Sequence, residues 1–109
     1  MGEYAKALHY YQQSLAITKE IGNKAGVGAT LNNIGGIYEN LGEYLKALNY
    51  YQQSLAIDKE IGDKPGEGTS LNNIGLVYKN LGEYPKALNY YQQSLAIDKE
   101  IGDKPGEGT

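Results

Sequence analysis

The chain repeats itself with a period of forty residues. Residues 42–69 return at 82–109 with one change, Leu45 to Pro85, and stand at 2–29 with several further differences. Between these copies, residues 30–41 pair with 70–81, and each segment carries the same five-residue core, Leu31 to Gly35 and Leu71 to Gly75. A period in the range of about 20–50 residues marks an array whose units complete their cores against their neighbours. Such an array offers a broad surface and seldom an enclosed catalytic pocket. The copies 2–41, 42–81 and the partial copy 82–109 are expected to form one domain over 1–109, near the usual domain size of roughly 100–150 residues. Because the units are near-identical copies, a residue seen three times is not three independent pieces of evidence.

Within a unit the apolar spacing is helical. Tyr44, Ala47, Leu48, Tyr51, Leu55 and Ile61 recur at three- and four-residue steps, with Lys46, Asn49, Gln53, Lys59 and Glu60 between them. Gly62 ends this run, as Gly22, Gly42, Gly82 and Gly102 end the others, where a left-handed residue closes the last turn. Asp63 then stands as an N-cap, and Pro65 falls in the first turn, where a missing amide hydrogen costs nothing. Leu71, Ile74, Gly75, Tyr78 and Leu81 continue at helical spacing. The pattern predicts five helices over 3–21, 24–40, 43–61, 64–80 and 83–101, paired as antiparallel hairpins, with a sixth begun at 103–109. Gly35 and Gly75 lie inside helices, where glycine costs about 1 kcal/mol relative to alanine, and they predict close approach of a neighbouring helix. Gly66 and Gly68 predict a loose first turn in the fourth helix. All eleven aromatic residues are tyrosine, and their spacing reads as hairpin packing with hydroxyls at the rim, not as an aromatic binding stripe.

Composition excludes several classes of function. Net charge is −3 and the basic residues are all lysine, interleaved with acids, which opposes a nucleic-acid footprint. No apolar run approaches the roughly 18 residues that span a bilayer, and no signal-peptide pattern opens the chain, so no membrane contact is expected. The absence of cysteine removes disulfides and thiolate metal sites and fits a reducing, cytoplasmic setting. His9 stands where other copies carry Asn49 and Asn89, and reads as a drifted surface position. Asp58 and Glu60 read as a solvated face beside Lys59, not as an acid–base pair. No nucleophile–base pair, metal-ligand spacing or phosphate loop is present, so no catalysis, metal or cofactor is expected.

The residues Leu31, Ile34, Gly35, Tyr38, Gly42, Tyr44, Ala47 and Tyr51 form a pattern, and Leu71, Ile74, Gly75, Tyr78, Gly82, Tyr84, Ala87 and Tyr91 repeat it. This pattern resembles the tetratricopeptide repeat family over the whole chain. It departs from that family in Leu31 and Leu71, where tryptophan is common, in Ser54 and Ser94, where a second alanine is usual, and in lacking the closing proline. The repeat is also longer than the usual one, and in this it is similar to repeats of kinesin light chains and of G-protein-signalling modulators. The resemblance implies an all-α, right-handed solenoid of helical hairpins, with a concave groove that binds peptides. Carried over position by position, that groove is lined by Ala29, Asn32, Asn33, Gly36, Glu39 and Asn40 from one unit. The next unit adds Thr69, Asn72, Asn73, Leu76, Lys79 and Asn80. The resemblance further implies that Asn33 and Asn73 hydrogen-bond the backbone of a bound peptide. A carboxamide has both a donor and an acceptor, so it matches a peptide unit without reading its side chain. Adjacent asparagines inside a helix are poor for stability, which is independent reason to look for a purpose. The family's clamp for a C-terminal carboxylate requires lysine and arginine. Here Lys79 is the only basic groove residue, while Asn72 and Leu76 occupy clamp positions, so that mode of binding is rejected.

Two functions of different kind therefore follow. One is a protein–protein interaction scaffold taking a peptide segment in its groove. The other is a structural spacer or self-assembling array that recognises only copies of itself. Met1 occupies the place of Leu41 and Leu81, and the sequence stops seven residues into another unit, which reads as a piece of a longer array. Both terminal helices keep the interior pattern, including Tyr4, Leu8, Tyr11 and Leu15, so self-association through the ends is expected.

Overall fold

The computed structural model describes residues 2–102, and they form five helices: α1 Gly2–Glu20, α2 Lys24–Asn40, α3 Tyr44–Ile61, α4 Lys64–Asn80 and α5 Tyr84–Gly102. Every helix end falls within a residue of the position that the spacing predicts. The sixth helix predicted at 103–109 lies outside the described residues.

The turns explain why the helices stop where they do. Gly22, Gly42, Gly62 and Gly82 all have φ between +73° and +79°, a conformation that an L side chain resists. At the second turn Gly42 donates to the Glu39 carbonyl at 3.0 Å and Glu43 donates to Tyr38 at 2.8 Å, which closes α2. The Glu43 carbonyl then accepts from Ala47 at 3.0 Å and opens α3. One residue thus ends a helix and begins the next, and the chain must fold back as a tight hairpin. Gly102 departs from expectation. It is the last helical residue of α5 and is not left-handed.

The first turn of α4 is capped and not loose. The Asp63 carboxylate accepts from the Gly66 amide at 3.0 Å, and Asn23 does the same for Gly26 in α2. A Cβ on Gly66 would collide with that carboxylate, so glycine here lets the cap fold over the turn. Gly68 is buried and its carbonyl accepts from Ser94 of α5 at 2.9 Å, but an added Cβ would meet Ile97 only at 3.5 Å, an ordinary contact, so packing does not demand glycine there.

Consecutive helices pack in order, α2 with α3 and α4 with α5 as hairpins, α3 against α4 and α1 against α2 between them. One core cluster joins Leu15, Val27, Leu31 and Ile34, and a second joins Ala47, Tyr51, Ile74 and Val77. Each large side chain so buried contributes about 1.5–3 kcal/mol. Gly35 is where α2 and α3 come closest, with the Tyr51 ring lying directly over it, as the interior glycine predicts. Tyr38 stacks on Tyr50 at 5.6 Å and Tyr78 on Tyr90 at 5.5 Å, so these rings pair within hairpins.

Two assignments on α3 are corrected. Ile61, read as part of the buried stripe, is exposed. Asp58, read as part of a solvated face, is only 6% exposed. Tyr51, Ser54 and Asp58 follow one another at helical steps, so the stripe that meets α4 continues through polar residues.

Candidate functional site

The face shared by α2 and α4 carries the predicted groove residues. The two helices are tied there by Asn73, whose Nδ2 donates to Asn32 Oδ1 at 3.1 Å. Asn33 is exposed, while Asn32 and Asn73 are half-buried by their mutual contact. The two members of the predicted peptide-reading pair are therefore unequal, because Asn73 already has a partner and Asn33 faces solvent.

A groove of about 510 Å³ brings together Asn32, Asn33, Gly36, Asn40 and Asn73 from the predicted set. Its floor includes Tyr51, and its far wall is Glu3, Tyr4, Ala7 and Tyr11 of α1. The sequence reading missed that wall because it placed the groove on α2 and α4 alone. The repeat gave the signal, since Tyr11 is the copy of Tyr51. Glu39, Leu76, Lys79 and Asn80 lie outside this groove on the same two helices. Ala29 and Thr69 line a separate polar hollow of about 180 Å³ with Asn32, and Asn72 lines another of about 330 Å³ with Thr69.

Tyr51 sets the electrostatics of the floor. Its ring is 3% exposed, and its hydroxyl donates to Glu39 Oε1 at 2.7 Å. Burial first, and the Glu39 carboxylate second, hold the phenol protonated and push its pKa well above the ordinary range. Glu39 is thereby fixed as the acceptor of the Tyr51 hydroxyl. Its counterpart in the next unit is Lys79, which reverses the charge, and Gly36 is replaced by the exposed Leu76.

Around the smaller hollow of Ala29 and Thr69 runs a polar seam that sequence reasoning did not find. Ser54, buried, donates to the Gly28 carbonyl at 2.9 Å and lies 3.3 Å from the Ser70 hydroxyl. Ser70 in turn donates to Asp58 Oδ2 at 2.9 Å. The seam locks α2, α3 and α4 together through hydrogen bonds whose directions leave little choice of register. Burial pushes the Asp58 carboxyl above its ordinary pKa. The Ser70 bond works against this, and Asp63 and Glu67 add to it. Ion pairs decorate the outside of each hairpin, Lys24 with Glu60 and Lys64 with Glu100. Among the described residues no cluster of three or more histidine, aspartate or glutamate side chains is placed to hold a metal ion. None of the described helices is long and apolar enough to cross a membrane.

This geometry defines an all-α solenoid of antiparallel hairpins with a polar face along the first helix of each pair. A sequence profile described as tetratricopeptide repeat matches residues 1–60 and again 26–100, and the chain belongs to that family. Among solved structures it is similar to the tetratricopeptide domain of Arabidopsis FLU, with TM-score 0.82 and 22% identity, covering 90% of this chain and 82% of that one. It is also similar to BtubC (BKLC) from P. vanneervenii, with TM-score 0.83 and 24% identity, covering 97% of this chain and 42% of that one. At these identities the likeness concerns the fold, and it makes the solenoid right-handed. No curated protein matches the sequence. Tetratricopeptide domains are in general protein–protein interaction modules.

Proposed function

We propose that the chain is a protein–protein interaction scaffold without catalytic activity, one solenoid domain over 1–109, which takes an extended peptide segment along the face shared by α2 and α4. The observation that carries this reading is the arrangement of carboxamides there. Asn33 is exposed beside the Asn32–Asn73 bridge, within a groove lined by four asparagines and three tyrosines. Asn33 supplies a donor and an acceptor to a peptide unit, and the bridge offers its remaining donor and acceptor one step along. Gly36 leaves room for a backbone to approach α2, and Leu76 adds an apolar contact on α4. Glu39 and Lys79 favour peptides carrying opposite charges in that order. The cysteine-free composition supports a cytoplasmic setting.

Screening an unbiased peptide library and titrating the hits tests this. A saturable hit is expected, weakened about five- to tenfold by Asn33→Ala, the order of one lost hydrogen bond. The variant should keep or slightly gain thermal stability, since alanine is the better helix former. A library with no saturable hit, or hits indifferent to Asn33→Ala and Asn73→Ala alike, refutes the groove reading.

A second reading, self-association through the terminal helices, draws on apolar side chains left open at both ends. Tyr10 and Ile17 are exposed on α1, with Ile21 just past its end, and Tyr84, Leu88 and Leu95 are exposed on α5.

A further inference from the structure

We propose that the hollow of about 180 Å³ between α2, α3 and α4 is a seat for an alkylammonium group, the side chain of a lysine on the bound peptide, with the Asp58 carboxylate as its counter-charge. This rests on the groove reading and names one residue that the peptide must carry.

The floor of the hollow holds a charge with half its bonding capacity unused. Asp58 is 6% exposed, and its Oδ2 accepts from Ser70 at 2.9 Å. Its Oδ1 accepts no side-chain hydrogen bond among the described residues. That oxygen faces the hollow: a Cβ on Gly66 would stand 3.0 Å from it and one on Gly28 3.5 Å, and both glycines line the cavity. The residues flanking it therefore have no side chain to cover it. An ionised carboxylate in such a place is costly unless it is paired. Asparagine would accept from Ser70 as well, so the seam has no need of the charge. Burial first, then Asp63 and Glu67, push the carboxyl above its ordinary range, and only the Ser70 bond pulls it back. Lys24 and Lys64, which open α2 and α4, are paired elsewhere, with Glu60 and with Glu67 and Glu100. A cation from outside the chain would satisfy what the chain leaves unsatisfied.

The walls select the kind of cation. Ala25 and Ala29, one turn apart on α2, give the hollow an apolar side, and Asp63 and Thr69 of α4 give it a polar one. A lysine matches both, because its methylene stem packs on apolar surface while its head stays with polar partners. The volume slightly exceeds the roughly 150 Å³ that admits a benzene-sized molecule, which suits a four-carbon stem. Arginine presents a planar fork that wants two oxygens of one carboxylate, and Ser70 already occupies one of the two on Asp58. A calcium ion takes about six to eight oxygen ligands, and among the described residues no three acidic side chains are grouped to hold a metal. Asn32 lines both this hollow and the long groove, so a peptide lying along α2 and α4 passes the mouth. On α1 the matching position is Thr18, whose hydroxyl donates back into its own helix, to the Ser14 carbonyl at 3.0 Å. The preceding interface thus offers no such charge, and the lysine fixes the peptide's register.

The test titrates n-butylammonium chloride, a lysine side chain without its backbone, into the isotope-labelled 1–109 chain and follows the backbone amides. Saturable shifts are expected at Gly66, Thr69 and Ser70, and n-butanol at the same concentration should not cause them. Asp58→Asn, which should melt no lower than the parent, should weaken the binding about tenfold, the scale of a hydrogen bond to a charged group. Library peptides that bind the groove should carry a lysine whose replacement by norleucine costs about the same, with no further loss in Asp58→Asn. No saturable shift, or shifts indifferent to Asp58→Asn, overturn the proposal. Equally tight binding of n-butylguanidinium overturns it, as do the same shifts from calcium chloride at lower concentration. Groove peptides that ignore Asp58→Asn also overturn it, while leaving the groove reading intact. Butylammonium held by Asp58 with no peptide hit at all would support the ammonium seat and refute the groove reading instead.

Discussion

Two neighbouring glycines in α2 should respond to the same substitution with opposite sign. Alanine is favoured over glycine in a helix interior by about 1 kcal/mol. At Gly36 an added methyl would stand 3.6 Å from the Tyr51 hydroxyl oxygen, an ordinary contact, so Gly36→Ala should stabilise by about that amount. At Gly35 the methyl would stand 2.8 Å from both Cδ1 and Cε1 of the Tyr51 ring and 3.3 Å from the Ala47 carbonyl oxygen. The ring has to retreat by more than half an ångström. It is buried, it packs in one cluster with Ile74, and its hydroxyl is held by Glu39 at 2.7 Å. Overpacking of this kind costs about 1–3 kcal/mol. Helix propensity cancels between the two variants, so the gap between them measures the overpacking alone. Urea unfolding at constant slope reads that gap from the midpoints. It should collapse in a Tyr51→Leu background, where the obstructing ring is gone. At Gly75 the equivalent distances are 2.9 and 3.2 Å, but Tyr91 is less buried and Lys79 replaces the glutamate that holds the Tyr51 hydroxyl, so Gly75→Ala should cost less than Gly35→Ala. Equal stabilisation by Gly35→Ala and Gly36→Ala would show that the helices are not in close contact there.

Two further outcomes follow from the polar seam. Asp58 has a raised folded-state pKa, so its contribution to stability is fully present below the ordinary aspartate value of about 3.9 and is lost as pH rises through the folded value. At pH 7 the ionised, buried carboxylate is a cost, and Asp58→Asn keeps an acceptor for Ser70 while removing it. Melting curves should therefore place Asp58→Asn a few degrees above the parent at pH 7, with the difference shrinking in mild acid. A variant less stable at pH 7 would contradict the assignment. Ser54→Ala removes a buried donor from Gly28 and a partner from Ser70, and should cost about 1–2 kcal/mol in chemical denaturation. Ser94→Ala loses only the bond to Gly68 and should cost less, and the reverse order would show that the Ser54–Ser70 contact carries no weight.

The helices and their ends were legible because three signals agree: a three-to-four spacing of apolar residues, glycines at the turns, and Asp63 at a cap. The candidate groove residues on α2 and α4 came only from the family resemblance, and five of those twelve, Asn32, Asn33, Gly36, Asn40 and Asn73, line one groove. Their inequality was not legible, because which of Asn33 and Asn73 has a partner depends on how far α4 is offset from α2. The seam escaped for a plainer reason. Serine and aspartate read as surface types, so Ser54 and Asp58 broke an apolar stripe that they in fact extend. Their spacing from Tyr51 was the available clue. The groove wall on α1 escaped because position in the array, not residue type, decides what faces the groove.

Position also decides burial. Leu48 and Leu88 are the same residue in the same local sequence, yet one is half-buried and the other is 58% exposed. In an array of copies the shared residues set the frame, and each interface gains its strength from whether a neighbour is there to complete it. The capacity to discriminate lies in the few places where copies differ. Thr18 and Thr30 hold the places of Asp58 and Ser70, which are hydrogen-bonded in the next unit, so successive interfaces in one chain are not interchangeable. Gly36 and Glu39 give way to Leu76 and Lys79 along the face of the first helices, so a peptide held there as proposed would meet a small acidic step and then an apolar basic one. A groove built from identical units would bind a peptide equally well in any register. On the proposed reading, those two substitutions would give a bound peptide a direction.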